Sequence, residues 1–400
     1  MRRWLVPGFW AVAFAFLVVM SFATLPSPLY GLYRERDGLS TLTVTIVYAI
    51  FAGGTIATLL AVQAIVSRVG RHRVMIGAVA TMMVAAGVLA AWKALPGLLV
   101  GRLLTGIAVG LAAGTAIAYL IELRILEDPG GSPVTARNVG TAVNVGALGI
   151  GPLVAGCLAE WVRSPLLVPY LFVLAVGAIG LIGLVGVPET APPDPAGPSD
   201  PKTSSPRPIR LLIPAAVVTL AAFAANGLFA GLSGLLLSVT FGHPSHALAG
   251  ATLFLVFAAG VAAQLGTSRL PASRVFTFGT LSMLTGLALL VTSVQLSAPS
   301  LALFLLAGTL IGAGAGAGFK GTTGLVLEAT PPEGRVEMTS DLLISLFVGL
   351  SIPVIGAGIA LNGGVSPPDT VLGFAIFVGL GVLGAGALLG HVLKGDPHRA

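Results

Sequence analysis

The sequence predicts an all-α polytopic membrane protein with 12 transmembrane helices in two pseudo-symmetric six-helix bundles. Three observations support this fold class. Of the 400 residues, 56% are hydrophobic and 9% are charged, whereas a soluble domain carries about 25% charged residues. Long apolar runs recur along the chain, and one Pro-rich segment divides them six and six. Most of the surface must therefore face lipid rather than water.

Twelve segments are long and apolar enough to cross a bilayer, which takes about 20 residues. Backbone polar groups in lipid must be satisfied within the structure, and continuous apolar runs without strict alternation exclude a barrel. Each segment is therefore predicted to be a helix. We number them spans 1 to 12, with predicted bounds 7–30, 41–66, 74–93, 97–122, 139–161, 167–187, 210–238, 248–267, 274–295, 300–328, 339–361 and 370–392.

The basic residues predict the orientation, because Lys and Arg accumulate in cytoplasmic loops. With the N-terminus inside, fifteen of the 21 lie on the cytoplasmic side and four outside, while Arg102 and Lys320 lie within spans. We therefore expect a multi-pass protein of the plasma or inner membrane, with both termini in the cytoplasm.

The same residues argue against several other classes. The net charge of +6 does not indicate nucleic-acid binding, because the basic residues form short clusters between apolar runs. Cys157, the single cysteine, lies in an apolar segment, so no disulfide is expected. His243 and His246 have no third ligand nearby. We expect no metal, no cofactor and no nucleic acid, and a monomer in the lipid bilayer.

A Pro-rich segment, 188–209, is predicted to be a cytoplasmic linker between an N-terminal bundle, 1–187, and a C-terminal bundle, 210–400. It contains eight prolines, so we expect a semi-rigid spacer without helix or strand.

The two halves repeat each other in sequence. At an offset of 201 residues, Pro152 in span 5 matches Pro353 in span 11, and the loop 61–74 shares six residues with 262–275. At an offset of 206, Glu122 matches Glu328 at the ends of spans 4 and 10. These matches predict a duplicated six-helix unit, which is the usual architecture of secondary transporters.

Four short motifs resemble those of the major facilitator superfamily, and the resemblance covers essentially the whole chain. Arg102, Gly106 and Gly110 in span 4 follow the pattern R-x-x-x-G-x-x-x-G. The loop 67–73 is similar to the G-x-x-x-D-R-x-G-R-[KR] signature, although Gln63 and Ser67 replace its Gly and Asp. The segment 188–190 resembles a common ending of the first half.

Span 5 carries a fourth motif. Gly151, Pro152 and Gly156 are similar to the G-P-x-x-G-G signature of the drug/proton antiporter branch, with Ala155 in the first terminal Gly position. This resemblance implies that the patch shapes the interface with the other half. The alternative is ordinary packing of small residues.

The resemblance implies a conformational latch at the cytoplasmic side, in which Arg71 pairs with Glu122. By the repeat, Arg274 and Glu328 are the second pair, and Asp341 is expected to cap the helix of span 11. The arginines are alternatively topology anchors only. The remaining latch candidates are Ser67, Arg68, Gly70 and Arg73.

Two charges inside spans mark a candidate substrate cavity. A charge in the bilayer is costly, so Arg102 and Lys320 are expected to face a cavity or to reach outward to the membrane surface. Neither has a charged counterpart in the repeat. Polar residues that line such a cavity, or make hydrogen bonds between helices instead, are Tyr48, Tyr119, Asn144, Asn226 and Gln264.

These features predict a secondary active transporter that works by alternating access. By the resemblance of span 5, it exports a small amphipathic compound or drug in exchange for protons. No acid lies deep in a predicted span, so either an edge acid (Glu122, Glu160, Glu328 or Asp341) carries the proton or the chain is a facilitator. The alternative substrate is a sugar or another polar metabolite, taken up or moved by facilitated transport. No convergent catalytic groups predict an enzyme, and no large soluble domain supports a sensor or scaffold.

Overall fold

The computed structural model describes residues 5–128, 134–191, 209–331 and 334–394, and within these ranges it contains helices and no strand. Most of the predicted linker, 192–208, lies outside the described residues, as do the basic residues of both extreme termini. The twelve predicted spans correspond to helices throughout. The predicted all-α membrane fold is thereby confirmed.

The described residues form fourteen α-helices and one short 3₁₀-helix. Their bounds are α1 Leu5–Thr24, the 3₁₀-helix Ser27–Leu29, α2 Tyr30–Asp37, α3 Thr41–Val69, α4 Arg71–Ala91, α5 Leu95–Ala113, α6 Ala116–Glu127, α7 Val134–Trp161, α8 Val168–Leu184, α9 Ile209–Val239, α10 His246–Gly266, α11 Ala272–Gln295, α12 Leu301–Glu328, α13 Arg335–Asn362 and α14 Pro367–Lys394. Eleven of the spans that they form are long and apolar enough to cross a membrane, and α8 is an apolar helix of 17 residues.

Span 1 is broken and longer than predicted. It consists of α1, the 3₁₀-helix and α2, and it ends at Asp37 rather than at residue 30. Pro26 and Pro28 lie at the break, where each removes a backbone N–H that a continuous α-helix would use. The extension was missed because 31–37 is polar, and hydropathy does not detect a polar helix.

Span 4 is also broken, between α5 and α6. Gly114 ends α5, where its backbone N–H donates to the Gly110 carbonyl at 3.1 Å, and the next N–H, of Thr115, donates to the Ala112 carbonyl at 3.1 Å, as in a 3₁₀-type last turn. A side chain at Gly114 would collide with Val62 of α3. The glycine thus allows the two helices to approach where the chain changes direction.

The chain divides into two compact units. Unit 1 comprises 1–38, 50–201 and 246–254, and unit 2 comprises 39–49, 202–245 and 255–400. Helices α3 and α10 are therefore each shared between units. The predicted division at 188–209 remains a prediction.

The core of unit 1 is built around α1, which packs against α5, α6, α7 and α8, while α4 packs against α5 and α8. Its closest approach is at Gly151 of α7, where a side chain would collide with the backbone carbonyl of Ser21 in α1. Small residues here let two helix backbones come into contact.

Unit 2 is built around α9 and α12. Helix α9 packs against α12, α13 and α14, and α12 packs against α11. The alternating Gly–Ala run 312–318 lies inside α12 and faces two neighbours. Side chains at Gly312 and Gly316 would collide with α10, and one at Gly314 would collide with Met283 of α11.

Candidate functional site

An ion pair joins α4 and α6 at the predicted cytoplasmic end of unit 1. Arg71 Nε lies 3.0 and 2.8 Å from the two carboxylate oxygens of Glu122. The hydroxyl of Thr190 donates to Glu122 Oε2 at 2.5 Å. The Arg71 and Glu122 side chains are 17% and 32% exposed, so the pair is partly shielded from water. The structure thus brings together the first pair of the predicted latch.

Glu189 is a second carboxylate at this end, with a role that its sequence motif does not predict. It caps the start of α4, because its oxygens accept the backbone N–H groups of Arg71 at 2.9 Å and His72 at 3.1 Å. It also accepts the N–H groups of Thr190 and Ala191. A negative charge at a helix N-terminus is favourable. The motif at 188–190 is the sequence signal that marks this residue.

Gly70 makes this cap possible. Its φ of 86° lies in the left-handed region, which residues with a side chain rarely adopt. A side chain there would also collide with the Glu189 carboxylate. The first residues of the predicted linker are therefore fixed to unit 1, and the hydroxyl of Tyr119 adds a bond of 2.7 Å to the carbonyl of Pro188. Tyr119 thus bonds to the linker rather than to another helix, and its place in the cavity stays a prediction.

The other latch candidates occupy less connected positions. The Ser67 hydroxyl donates to the Ala64 carbonyl of its own helix at 3.0 Å. Arg68, Arg73 and Arg274 are exposed. The second pair, Arg274 with Glu328, stays a prediction.

Asp341 does not cap the helix of span 11, which corrects the sequence-based expectation. Helix α13 begins at Arg335, and its N-cap residue is Gly334. Asp341 therefore lies in the second turn, with a buried carboxylate oxygen. The predicted start at 339 was late because the first turn of α13 is polar.

The span 5 motif places Pro152 inside α7. Proline has no N–H, so the carbonyl four residues earlier, at Leu148, loses its helical partner. The hydroxyl of Thr24 in α1 donates to this carbonyl at 2.6 Å. The hydrogen bond compensates in lipid for the one that proline removes.

The other side of α7 contacts the first turns of α10 within unit 1. Side chains at Gly156 and Gly250 would collide with backbone carbonyls of the facing helix, at His246 and Pro152 respectively. His246 is the first residue of α10. Its backbone N–H donates to Glu160 Oε2, at the end of α7, at 2.8 Å. Backbone contact and a carboxylate cap thus join α7 to α10.

Arg102 is fully buried in unit 1. Its Nη1 donates to the Ala23 carbonyl at 2.7 Å, and its guanidinium lies over the Phe51 ring at 4.7 Å from the centroid. Two buried tyrosines, Tyr33 and Tyr170, share a hydrogen bond of 3.0 Å between their hydroxyls in the same unit. The side chain does not reach the surface in this conformation.

Lys320 is partly exposed and lies between α12 and α10 in unit 2. Its Nζ donates to the backbone carbonyl of Gln264, which is itself buried. Asn226 is 2% exposed in α9, and its Oδ1 has no hydrogen-bond partner among the described residues. The buried Tyr48 ring packs near Gly231 of α9.

Asn144 lies in α7 of unit 1, away from these groups in the sequence. Its Oδ1 is buried and without a hydrogen-bond partner in the part of the chain that the structure describes. The predicted cavity residues are thus divided between the two units, with Arg102, Tyr119 and Asn144 in unit 1 and Tyr48, Asn226, Gln264 and Lys320 in unit 2.

The sequence profile of the Major Facilitator Superfamily matches residues 12–275, which is well over half of the chain. The chain belongs to the major facilitator superfamily. Its members are membrane transporters for small molecules and generally not enzymes. No curated protein sequence matches the chain significantly.

Solved structures share the superfamily fold with this chain. The nucleoside transporter NupG has 12% identity and a TM-score of 0.71, covering 96% of this chain and 99% of its own. A bacterial homologue of the human lysosomal transporter Spinster, in an inward-facing and unoccupied conformation, has 13% identity and a TM-score of 0.67 over 98% and 96%. The human organic anion transporter MFSD10 (TETRAN) has 17% identity and a TM-score of 0.67 over 96% and 99%.

Proposed function

We propose that this superfamily member is a secondary active transporter that exports a small amphipathic compound in exchange for protons, by alternating access. The observation that carries the proposal is the position of α7. Its Gly151 face contacts α1, and its Gly156 face contacts the start of α10. The start of α10 follows the linker in sequence, so motion between the sequence halves must break or re-form the α7–α10 contact.

Asp341 is the acid that we propose as the proton carrier. It lies six residues beyond the start of α13, or about 9 Å along a helix axis. One of its carboxylate oxygens is buried. The other edge acids have different tasks or positions, because Glu122 pairs with Arg71, Glu160 caps α10 and Glu328 is exposed. An ionisable group at such a depth is a candidate for proton relay.

The proposal is tested in proteoliposomes that contain a pH indicator. Amphipathic cations, organic anions, nucleosides and sugars are supplied in turn, and flux and internal pH are followed together. We expect flux of an amphipathic compound with opposite proton movement. Asp341→Asn should remove the proton movement, whereas the conservative variant Asp341→Glu should retain it. Substrate flux without any proton movement would contradict the antiport.

A second candidate is uptake or facilitated transport of a polar metabolite. Two separate polar groups in unit 2 favour it: Lys320 is partly exposed, and the buried side-chain amide oxygen of Asn226 has no partner among the described residues. If this candidate holds, nucleoside or sugar flux should exceed that of amphipathic compounds. Lys320→Ala and Arg102→Ala should then reduce it, and unchanged flux in both variants would contradict a substrate role for these charges.

The orientation is part of the proposal, with both termini in the cytoplasm of a cell-membrane protein that acts as a monomer. A protease-cleavable tag after Lys394 should be cut in inside-out vesicles and protected in right-side-out vesicles.

A further inference from the structure

A cavity of about 430 Å³ lies between α13 and α14 in unit 2, and the proposed transport mechanism makes no use of it. Its volume falls in the range of about 300–1,000 Å³ that is usual for small-molecule sites. It lies toward the loop 363–366, which joins the two helices at the predicted outer side of the membrane.

The cavity exists because both helices present short side chains to it. On α13, Gly356, Ala357 and Ala360 form one stripe, and Gly373 faces them from α14. A side chain begun at Gly356 or at Gly373 would meet no atom within 4 Å. Phe374 and Phe377 complete an apolar wall.

Thr370 has a buried polar group at this wall. Its side chain is 7% exposed, and its hydroxyl has no hydrogen-bond partner among the described residues. Thr219 and Thr309 donate to the carbonyl four residues earlier, whereas Thr322 and Thr323 of α12, like Thr370, have no partner among the described residues. The Thr370 hydroxyl oxygen is covered by protein atoms, so it lies behind the cavity wall and is not a contact for a ligand.

Asp369 adds a negative charge beside this hydroxyl. One of its oxygens accepts a hydrogen bond of 2.6 Å from Ser366, as in a helix cap. Asp369 forms no ion pair with any residue that the structure describes. The sequence has no Lys, Arg or His between Arg335 and His391, so this carboxylate has no basic neighbour on α13 or on most of α14.

We propose that the cavity binds an amphipathic amine, whose apolar body fills the space between α13 and α14. Its protonated amine donates a hydrogen bond to Asp369. A phospholipid does not fit this chemistry, because its phosphate would lie beside Asp369, and neither α13 beyond Arg335 nor the adjoining part of α14 has a basic residue to balance the charge. The proposal concerns binding only and does not depend on whether the chain exports such a compound.

Equilibrium binding of tritiated dodecylamine to the full chain in phosphatidylcholine nanodiscs tests the proposal, with empty nanodiscs as background. We expect one saturable site per chain. Asp369→Asn keeps the cap but removes the charge, and it should weaken binding by about tenfold, since one charge-assisted hydrogen bond is lost. Thr370→Val should leave binding unchanged, because the hydroxyl is covered by protein atoms. Gly373→Leu should remove the saturable component, because leucine fills the cavity.

Gly384→Leu is the matched control, because Gly384 lies on the same helix, has open space and does not line the cavity. It should bind dodecylamine like the parent chain, and all variants should elute as the parent does in gel filtration. No saturable binding above empty nanodiscs would overturn the proposal. So would equal binding by Gly373→Leu, or displacement by dodecyl sulfate or phosphatidylethanolamine as effective as by unlabelled dodecylamine.

Discussion

Two carboxylates at the predicted cytoplasmic end of unit 1 have different tasks. Glu122 binds a guanidinium and a hydroxyl, whereas Glu189 binds backbone N–H groups at the start of α4. The Arg71–Glu122 pair is still partly exposed, and ion pairs that water reaches contribute little to stability. A helix cap fixes backbone groups that have no partner within the helix. Glu189 is therefore the more important of the two for stability, and Glu122 is the better candidate for conformational control.

We predict that Glu189→Gln lowers the free energy of unfolding by about 0.5–2 kcal/mol, because a charged helix cap is lost. Thermal unfolding of the purified protein in detergent measures the effect. Glu127→Gln is the control, since Glu127 forms only a partly exposed pair with Arg124 on α6, and it should cost at most about 1 kcal/mol. Equal melting temperatures for Glu189→Gln and the parent chain would contradict the cap.

A double-mutant cycle tests the hydrogen bond that compensates Pro152. Thr24→Val leaves the Leu148 carbonyl without its partner and should destabilise the protein by about 0.5–2 kcal/mol. In the Pro152→Ala background the alanine N–H can take this carbonyl, so the cost of Thr24→Val should fall toward zero. Unfolding in sodium dodecyl sulfate gives the four stabilities, and purely additive costs would exclude the coupling.

The sequence predicts some of these residues and misses others for a physical reason. The Arg71–Glu122 pair follows from a resemblance, since both residues occupy motif positions. The roles of Glu189 and Thr24 require partners more than 100 residues away along the chain. A single sequence does not carry that distance information, so such contacts appear only in the folded chain.

At the scale of helices, hydropathy predicts where spans lie but not where they break. Both proline residues at the break in span 1 are visible in the sequence, yet proline inside α7 and α13 is tolerated without a break. Proline alone therefore does not distinguish a kinked helix from an interrupted one. Whether the helix continues through a proline also depends on a new partner for the carbonyl that the proline releases. Helix α1 supplies that partner for α7.

Helix α12 offers a test of glycine packing within one run. Gly312→Ala places a methyl group against the Val256 carbonyl and should destabilise the protein by about 1–3 kcal/mol through overpacking. Gly318→Ala meets no atom within 4 Å, and it should be neutral or stabilise by up to about 1 kcal/mol through lower chain entropy. Thermal unfolding of both variants checks the pair, and a reversed order would contradict the packing of α12 against α10.

At the scale of the whole molecule, the two compact units do not coincide with the two sequence repeats. Residues 39–49 of the first repeat pack in unit 2, and 246–254 of the second pack in unit 1. The repeat predicts twelve spans in two sets because duplication preserves hydropathy. It does not predict that these two segments, 39–49 and 246–254, pack in the unit of the other repeat, because this depends on which helices touch in one conformation.

Under the alternating access that we propose, α7 and the start of α10, which lie together in unit 1, must separate during the cycle. Crosslinking tests this requirement most directly. In a Cys157→Ser background, Glu160→Cys and Ala247→Cys are joined by a short thiol-specific crosslinker that reduction cleaves, because the Glu160 carboxylate reaches the Ala247 N–H at 3.2 Å. Flux of the compound found in the proteoliposome experiment is then measured. We predict that crosslinking abolishes the flux that the same double-cysteine protein shows before crosslinking, and that reduction restores it. Full flux through completely crosslinked protein would contradict the mechanism.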